Sequence, residues 1–179
     1  PGSLGQKVGD LYALRMDSAR MNKDGVKPIL KDLNRISKVK TKQQLTELVN
    51  QMNIEGVNFG ELWGVGVGAD MMASTENILG LSQGGYSIER DYYVETDEAN
   101  RQMLDYYRQY IVNMFQLVGE SEKAARQKME RIVALETRMA KAGKSNTDLR
   151  DPASNYHKMS YSEFKQQFPG FDWDSYFNA

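Results

Sequence analysis

Residues 62–93 read LWGVGVGADMMASTENILGLSQGGYSIERDYY and form the long stretch of the chain without helical rhythm. Gly64, Gly66 and Gly68 alternate with Val65 and Val67. That pattern makes a poor helix interior but suits an extended segment whose backbone another part of the structure approaches closely. Residues 77–81 (NILGL) read as a second strand, and residues 70–76 supply the turn, so the stretch predicts a small hairpin over about residues 62–81, from Leu62 to Leu81.

Outward from the hairpin the apolar spacing turns helical on both sides. Toward the N-terminus, Val8, Leu11, Tyr12 and Ala19 share one face of a helix over about residues 6–21. Gly25 interrupts it, and Pro28 suits a first helical turn ahead of Ile29, Leu33 and Ile36. Thr41 and Gln44 have the spacing of a capping box before Leu45, Leu48, Val49 and Met52, with Gly56 as the stop. Toward the C-terminus, Thr96 is a candidate N-cap for a long helix carrying Leu104, Tyr107, Ile111, Met114 and Val118. Gly119 closes it. A second long helix from about Ser121 places Ala125, Met129, Ile132, Leu135 and Met139 on one face and ends at Gly143, and the short link makes the two an antiparallel pair. Residues 144–155 read as a connector. Ser160 and Glu163 start a short helix that Phe168, Pro169 and Gly170 stop, and Trp173, Tyr176 and Phe177 form an apolar end that expects a partner surface. The fold class is therefore mostly α: a helical lobe over residues 1–179 as a single domain, with the hairpin set among long antiparallel helices.

Composition bounds the chemistry. The 179 residues balance 23 Lys and Arg against 24 Asp and Glu, which offers no basic field to nucleic acid. No apolar run approaches the roughly 20 residues of a membrane span. Zero cysteines exclude disulfides, thiolate metal sites and cysteine nucleophiles, and a single histidine, His157, falls short of a zinc site. His157 reads as a loop or capping residue. Gly64 to Ala69 fit the letters of a dinucleotide-binding glycine pattern, but that mechanism needs a strand before the glycines and a helix starting on them, and here helices precede and a hairpin follows. Asp148, Asp151, Asp172 and Asp174 lack the oxygen-ligand spacing of a calcium loop. Arg90-Asp91 and Arg150-Asp151 each offer a guanidinium fork to a peptide carboxylate, though pinning a loop is the more economical role for both. No catalytic, cofactor-binding or metal-ligating residue is assigned within the chain.

Several of these segments together resemble the N-terminal lobe of the neprilysin-type zinc metallopeptidases, the family of neprilysin, endothelin-converting enzyme and bacterial endopeptidase O. They are Leu62 to Asp70 (LWGVGVGAD), Gln83-Gly84-Gly85 followed by Glu89 to Tyr93 (ERDYY), Arg150-Asp151-Pro152 with Tyr156 to Ser160 (YHKMS), and Phe168 to Trp173 (FPGFDW). The opening Lys7 to Tyr12 (KVGDLY) with Met16-Asp17 also fits, so the resemblance spans the chain. Tyr86-Ser87-Ile88 departs from the family's usual leucines and proline, and the absent cysteines suggest a bacterial-type relative. The HExxH zinc helix is not in the sequence, and that chemistry needs two histidines one helical turn apart with a glutamate base between them.

The resemblance implies a fragment of a larger two-lobed enzyme, without its catalytic zinc lobe. This chain would be the non-catalytic cap lobe of a zinc metalloendopeptidase, enclosing the active-site cavity and restricting substrates to oligopeptides. The implied cofactor is zinc in the full-length enzyme and none in this fragment, and the implied partners are the catalytic lobe of the same polypeptide and oligopeptide substrates. A periplasmic or cell-surface location follows from the same resemblance, and the sequence leaves a cytoplasmic one open. The alternative from the residues is a free-standing helical module that binds a protein or peptide through Trp173, Tyr176 and Phe177 or the Arg-Asp loops.

Overall fold

A computed structural model describes residues 2–56 and 62–178. They fall into two compact units, Pro1–Lys40 and Thr41–Ala179.

In the first unit, α1 (Leu4–Met16) and α2 (Ser18–Asp24) replace the single helix expected over residues 6–21. The break is at Asp17, which leaves helical geometry (ψ 74°) and turns its carboxylate onto Arg20 N at 2.9 Å as the cap of α2. A short 3-10 turn at Lys27–Ile29, with Pro28 in its first positions, leads into α3 (Leu30–Ser37). Val8, Leu11 and Tyr12 are exposed.

The second unit opens with α4 (Lys42–Ile54). Thr41 Oγ1 accepts from Gln44 N and Gln44 Oε1 accepts from Thr41 N, both at 3.2 Å, so the capping box forms as its spacing predicts. Gly56 follows at φ 72°, which a side chain would resist. The hairpin comprises β1 (Trp63–Asp70) and β2 (Ala73–Gln83), paired antiparallel with Trp63 opposite Gln83 and Val67 opposite Leu79. Its turn is shorter than the expected residues 70–76. Asp70 Oδ1 accepts from Met72 N at 2.9 Å, which closes the chain over Met71 and Met72, and the surplus residues appear as a register shift between Ala69 and Asp70.

A single turn, α5 (Asp91–Val94), precedes the two long helices α6 (Glu98–Leu117) and α7 (Glu122–Ala142). Asp97, rather than Thr96, caps α6 by accepting from Asn100 N at 3.2 Å. The carboxylate reaches the third residue's amide in the place expected of the hydroxyl. Gly119 turns the link at φ 97°. The α6–α7 core is Ile111, Val112, Ala125, Met129 and Val133, with Leu104, Tyr107, Phe115 and Ile132 packed against it. The buried face of α7 continues through Glu136 and Ala140, whereas Leu135 is exposed. The expected stripe drifted by one residue because it counted apolar side chains and passed over an inward-facing carboxylate.

The C-terminal part folds α8 (Tyr161–Gln167) behind the Ser160–Glu163 capping box and then α9 (Trp173–Phe177). Trp173 is buried, its indole N–H donating to Phe168 O at 2.7 Å. Its ring lies 4.9 Å from that of Trp63 on β1 and 4.7 Å from that of Phe164 on α8. The aromatic end thus finds much of its partner surface within the chain, at the base of the hairpin.

Candidate functional site

Three side-chain clusters of the second unit, the first of them at the tip of the hairpin and the other two in the segments that follow it, organise the polar residues around the hairpin. The first is Asp70, at the tip end of β1. Its side chain is fully buried and accepts from Tyr156 Oη and Lys158 Nζ, each at 2.7 Å, as well as from Met72 N. These donors, the Lys158 bond foremost, hold its carboxyl at about 2, below its ordinary 3.8. Glu76 lies 3.9 Å from the same ammonium. The segment from Tyr156 to Lys158 has no helical structure, and alternation in an extended backbone turns residues 156 and 158 to Asp70 while His157 lies between them, exposed. The histidine singled out by sequence is thus flanked by the residues that do the binding.

The second is Glu136 on α7. Ser87 Oγ donates to Oε1 at 2.7 Å, Tyr93 Oη to Oε2 at 2.9 Å and Tyr107 Oη to Oε1 at 3.1 Å. The three donors come from the segment after the hairpin, from α5 and from α6, so one carboxylate joins four parts of the fold. Burial first, and then the neighbouring carboxylate, push the Tyr93 hydroxyl far above the ordinary tyrosine value; Tyr107 shifts in the same direction, again mainly through burial.

The third is Arg90. Its Nε donates to Ala140 O at 3.0 Å and to Gly143 O at 3.2 Å, and Nη1 meets Asp91 at 3.2 Å. The guanidinium satisfies the last carbonyls of α7, where a cation also complements the helix dipole. Alongside it, Gln83 Oε1 accepts from Lys144 N and Gln83 Nε2 donates to Lys144 O, both at 2.9 Å. Gly85, at φ 87°, lies so close to Met139 and Leu62 O that a side chain there would collide.

Arg90 therefore pins a loop, as its surroundings in sequence suggest. Arg150 is exposed, and its loop is held instead by Asp151, which accepts from Ala153 N at 3.2 Å and Ser154 N at 3.3 Å, and by Asn155, whose amide donates to Asp148 O and Asp151 O at 2.8 and 2.7 Å. The glycines of β1 differ from expectation too. Gly64 faces the Ser82 side chain, but nothing lies within 4 Å of a Cβ built at Gly66 or Gly68. With a strand on either side of the turn and no helix starting on the glycines, there is no phosphate cradle.

Among the described residues no group of three or more His, Cys, Asp or Glu is placed to hold a metal ion. Asp148 accepts from Ser145, Asp172 caps α9 through Ser175 N at 3.1 Å, and Asp174 pairs with Lys165 at 2.9 Å. These carboxylates serve local structure. Glu136 had gone unmarked in the sequence; the signal for it was a charge standing in helical register with Met129 and Val133.

Beside β2 runs an open groove of about 510 Å³, lined by Ile78 to Leu81 on one wall, by Asn155 to Met159 on another, and by aromatic rings of α8 and its neighbours. Its lining includes His157 and Lys158 but no carboxylate.

A model of peptidase family M13 matches residues 1–179. The chain is 27% identical over 122 residues to neprilysin-3 of Drosophila melanogaster, covering 68% of this chain and 16% of that protein. It is 31% identical over 115 residues to human endothelin-converting enzyme 1, covering 63% of this chain and 15% of that one. Two structures of the zinc metalloprotease Zmp1 of Mycobacterium tuberculosis, one in complex with an inhibitor and one in an open state, superpose with TM-scores of 0.87 and 0.84 at 30% identity. Each covers 99% of this chain and 27% of the Zmp1 chain. The chain thus spans less than a third of the length of the relatives it matches.

Proposed function

The chain belongs to peptidase family M13, as its N-terminal helical lobe, and from that premise we propose that it is the non-catalytic cap of a larger zinc metalloendopeptidase. The observation that carries the reading is the match of the family model over the whole chain, joined to a sequence with one histidine and no HExxH. The residues present do not fit a zinc ion: His157 has no second histidine, and Asp70 is committed to a lysine and a tyrosine. Zinc and the water it activates then belong to another lobe of the same polypeptide, which is also this lobe's main partner. Oligopeptides are the substrates.

The cap acts by shape. Enclosure of a cavity admits peptides that fit and excludes folded proteins, provided that the wall keeps its form. A paired α6–α7, fastened at Glu136 and Arg90, gives such a wall. The similar TM-scores to an inhibitor complex and an open state of Zmp1 support a lobe that keeps its fold in both. Following the family, the whole enzyme is exported to the periplasm or cell surface; among the described residues no helix is long and apolar enough to cross a membrane.

The test compares residues 1–179 with the full reading frame. The longer protein should bind one zinc and cleave short peptides but not folded substrates, while the lobe alone does neither. Tight equimolar zinc together with turnover by residues 1–179 would overturn the reading, as would a reading frame that ends without HExxH. The free-standing binding module loses its best support in the engagement of Trp173 with Trp63 and Phe164.

A further inference from the structure

The groove beside β2 combines two features that occur together where a strand is to be added. One is an unused backbone edge. The sheet has two strands in the order β1–β2, and among the described residues no backbone bond joins Ala73–Gln83 to anything outside the hairpin. The neighbouring segment that carries Asn155 to Met159 forms the opposite wall without bonding to that edge. The other is an apolar floor. Ile78, Leu79 and Leu81 come from the strand, and Tyr161, Phe164 and Phe168 come from α8 and the residue that ends it. A lone two-stranded hairpin is marginal in water, and an exposed edge beside apolar side chains invites a further strand.

We propose that the outer edge of β2 takes a third strand, an extended segment with apolar side chains at alternate positions, supplied by the remaining polypeptide of the same peptidase molecule. Main-chain bonds along Ile78 to Leu81, about 13 Å of strand, would give affinity, and the aromatic floor would select the side chains that point into the groove. The inference rests on the cap-lobe reading, because the matched region is 27% of the Zmp1 chain and the rest of such a chain is the nearest source of a strand. A second copy fits poorly. The groove runs between the strand and the Asn155 to Met159 segment, and a second β2 would bring its own such segment and α8 into the same space. The strand would also explain why the hairpin is anchored at both ends, by Asp70 at its tip and by Trp63 at its base, while its middle stays open. Anchored ends hold the edge in place for an incoming segment.

Residues 1–179 contain no cysteine, so a single introduced thiol reports on each position of this lobe. In the full-length peptidase, the Leu79→Cys thiol should react with iodoacetamide roughly tenfold or more slowly than the Met72→Cys thiol at the hairpin turn. A photo-crosslinker at Leu79 should join one extended segment of the same molecule outside residues 1–179. Hydrogen exchange on the unsubstituted enzyme covers the case in which Leu79→Cys does not fold: amides of Ile78 to Leu81 that β1 does not bond should be protected. Equal thiol reactivity, fast exchange of those amides, or crosslinks to a second molecule or to added substrate peptide would each overturn the proposal. An enzyme with zinc and peptidase activity but a free edge refutes the third strand alone. A reading frame without the zinc lobe refutes the cap-lobe reading beneath it.

Discussion

Asp70 and Glu136 are both nearly removed from solvent, at 1% and 7% exposure, yet Asp70 meets an ammonium whereas Glu136 meets only hydroxyls. The Asp70 site joins the hairpin to the segment before α8 through a lysine whose side chain is itself 47% exposed. Water therefore shares that charge pair. At Glu136 one donor, Ser87, is exposed, but the two tyrosines are partly or wholly buried, so little solvent is at hand to replace their bonds. The difference separates two ways of fixing a segment: a half-wet ion pair that orients, and a buried acceptor whose removal strands several donors at once.

The sharpest way to break the comparison is to remove the buried acceptor. Glu136→Ala leaves Tyr93 and Tyr107 without a partner and opens a cavity against α6, and should cost about 3 kcal/mol in chemical denaturation. Glu136→Gln keeps the volume and a carbonyl acceptor, and should cost about 1 kcal/mol. Equal, small losses for both would place Glu136 on a par with a surface carboxylate. Next comes the segment that carries Ser87 to Glu136. Gly85→Ala forces an alanine to φ 87° and sets its Cβ 3.2 Å from Leu62 O and against the Met139 side chain. The Met139 tip can yield, but the backbone cannot, so a loss of about 2 kcal/mol is expected. Thermal melting should show it, and the Ser87–Glu136 bond should loosen with it.

Asp70→Asn should do less at neutral pH, because the amide oxygen still accepts from Met72 N and Tyr156 in the place of Oδ1, and although the NH2 in the place of Oδ2 no longer accepts from Lys158, that lysine is half-exposed and water can take over its ammonium. Its signature lies in acid. A carboxyl at about 2 when folded and 3.8 when unfolded contributes stability that is present above pH 3.8 and is lost as the pH falls toward 2. Asp97, Asp148, Glu163, Asp172 and Asp174 are lowered as well, so wild-type acid unfolding sums several groups. The difference between wild type and Asp70→Asn isolates one of them, and it should shrink across that window. A difference that stays constant from pH 5 to pH 2 would sink the assignment.

The two sites also differ in how far sequence alone could reach them. Helices, capping boxes at Thr41 and Ser160, and the existence of the hairpin were legible because each rests on local spacing. Asp70 was visible as the end of an apolar run, but its partners Tyr156 and Lys158 lie more than eighty positions away, and local pattern says nothing about which distant loop returns. Glu136 was hidden by a rule that is usually sound. A glutamate on a helix of mixed charge counts as solvent-facing, and only the convergence of Ser87, Tyr93 and Tyr107 reverses that. The cap at Asp97 differs from expectation for a smaller reason, since Thr96 and Asp97 compete for one capping position and geometry chooses the carboxylate, whereas the break at Asp17 is hidden by apolar spacing that runs across it.

The smallest effect is expected in the middle of the hairpin, and it separates the anchored ends from what lies between. Gly64, Gly66, Gly68 and Asp70 fall on one side of β1 by alternation, so the face that is closed at Asp70 is open two and four residues earlier. A Cβ at Gly66 meets nothing within 4 Å, and the residue has no positive φ to strain. Alanine there narrows the unfolded ensemble, which favours folding, while its modest strand preference works slightly against it. Gly66→Ala should therefore change the stability of residues 1–179 by no more than about 0.5 kcal/mol. The same substitution in the full-length enzyme makes the measurement decisive. An unchanged value there means that the glycine face stays open, whereas a loss of about 2 kcal/mol or more means that another segment lies flat against it and needs the missing side chain.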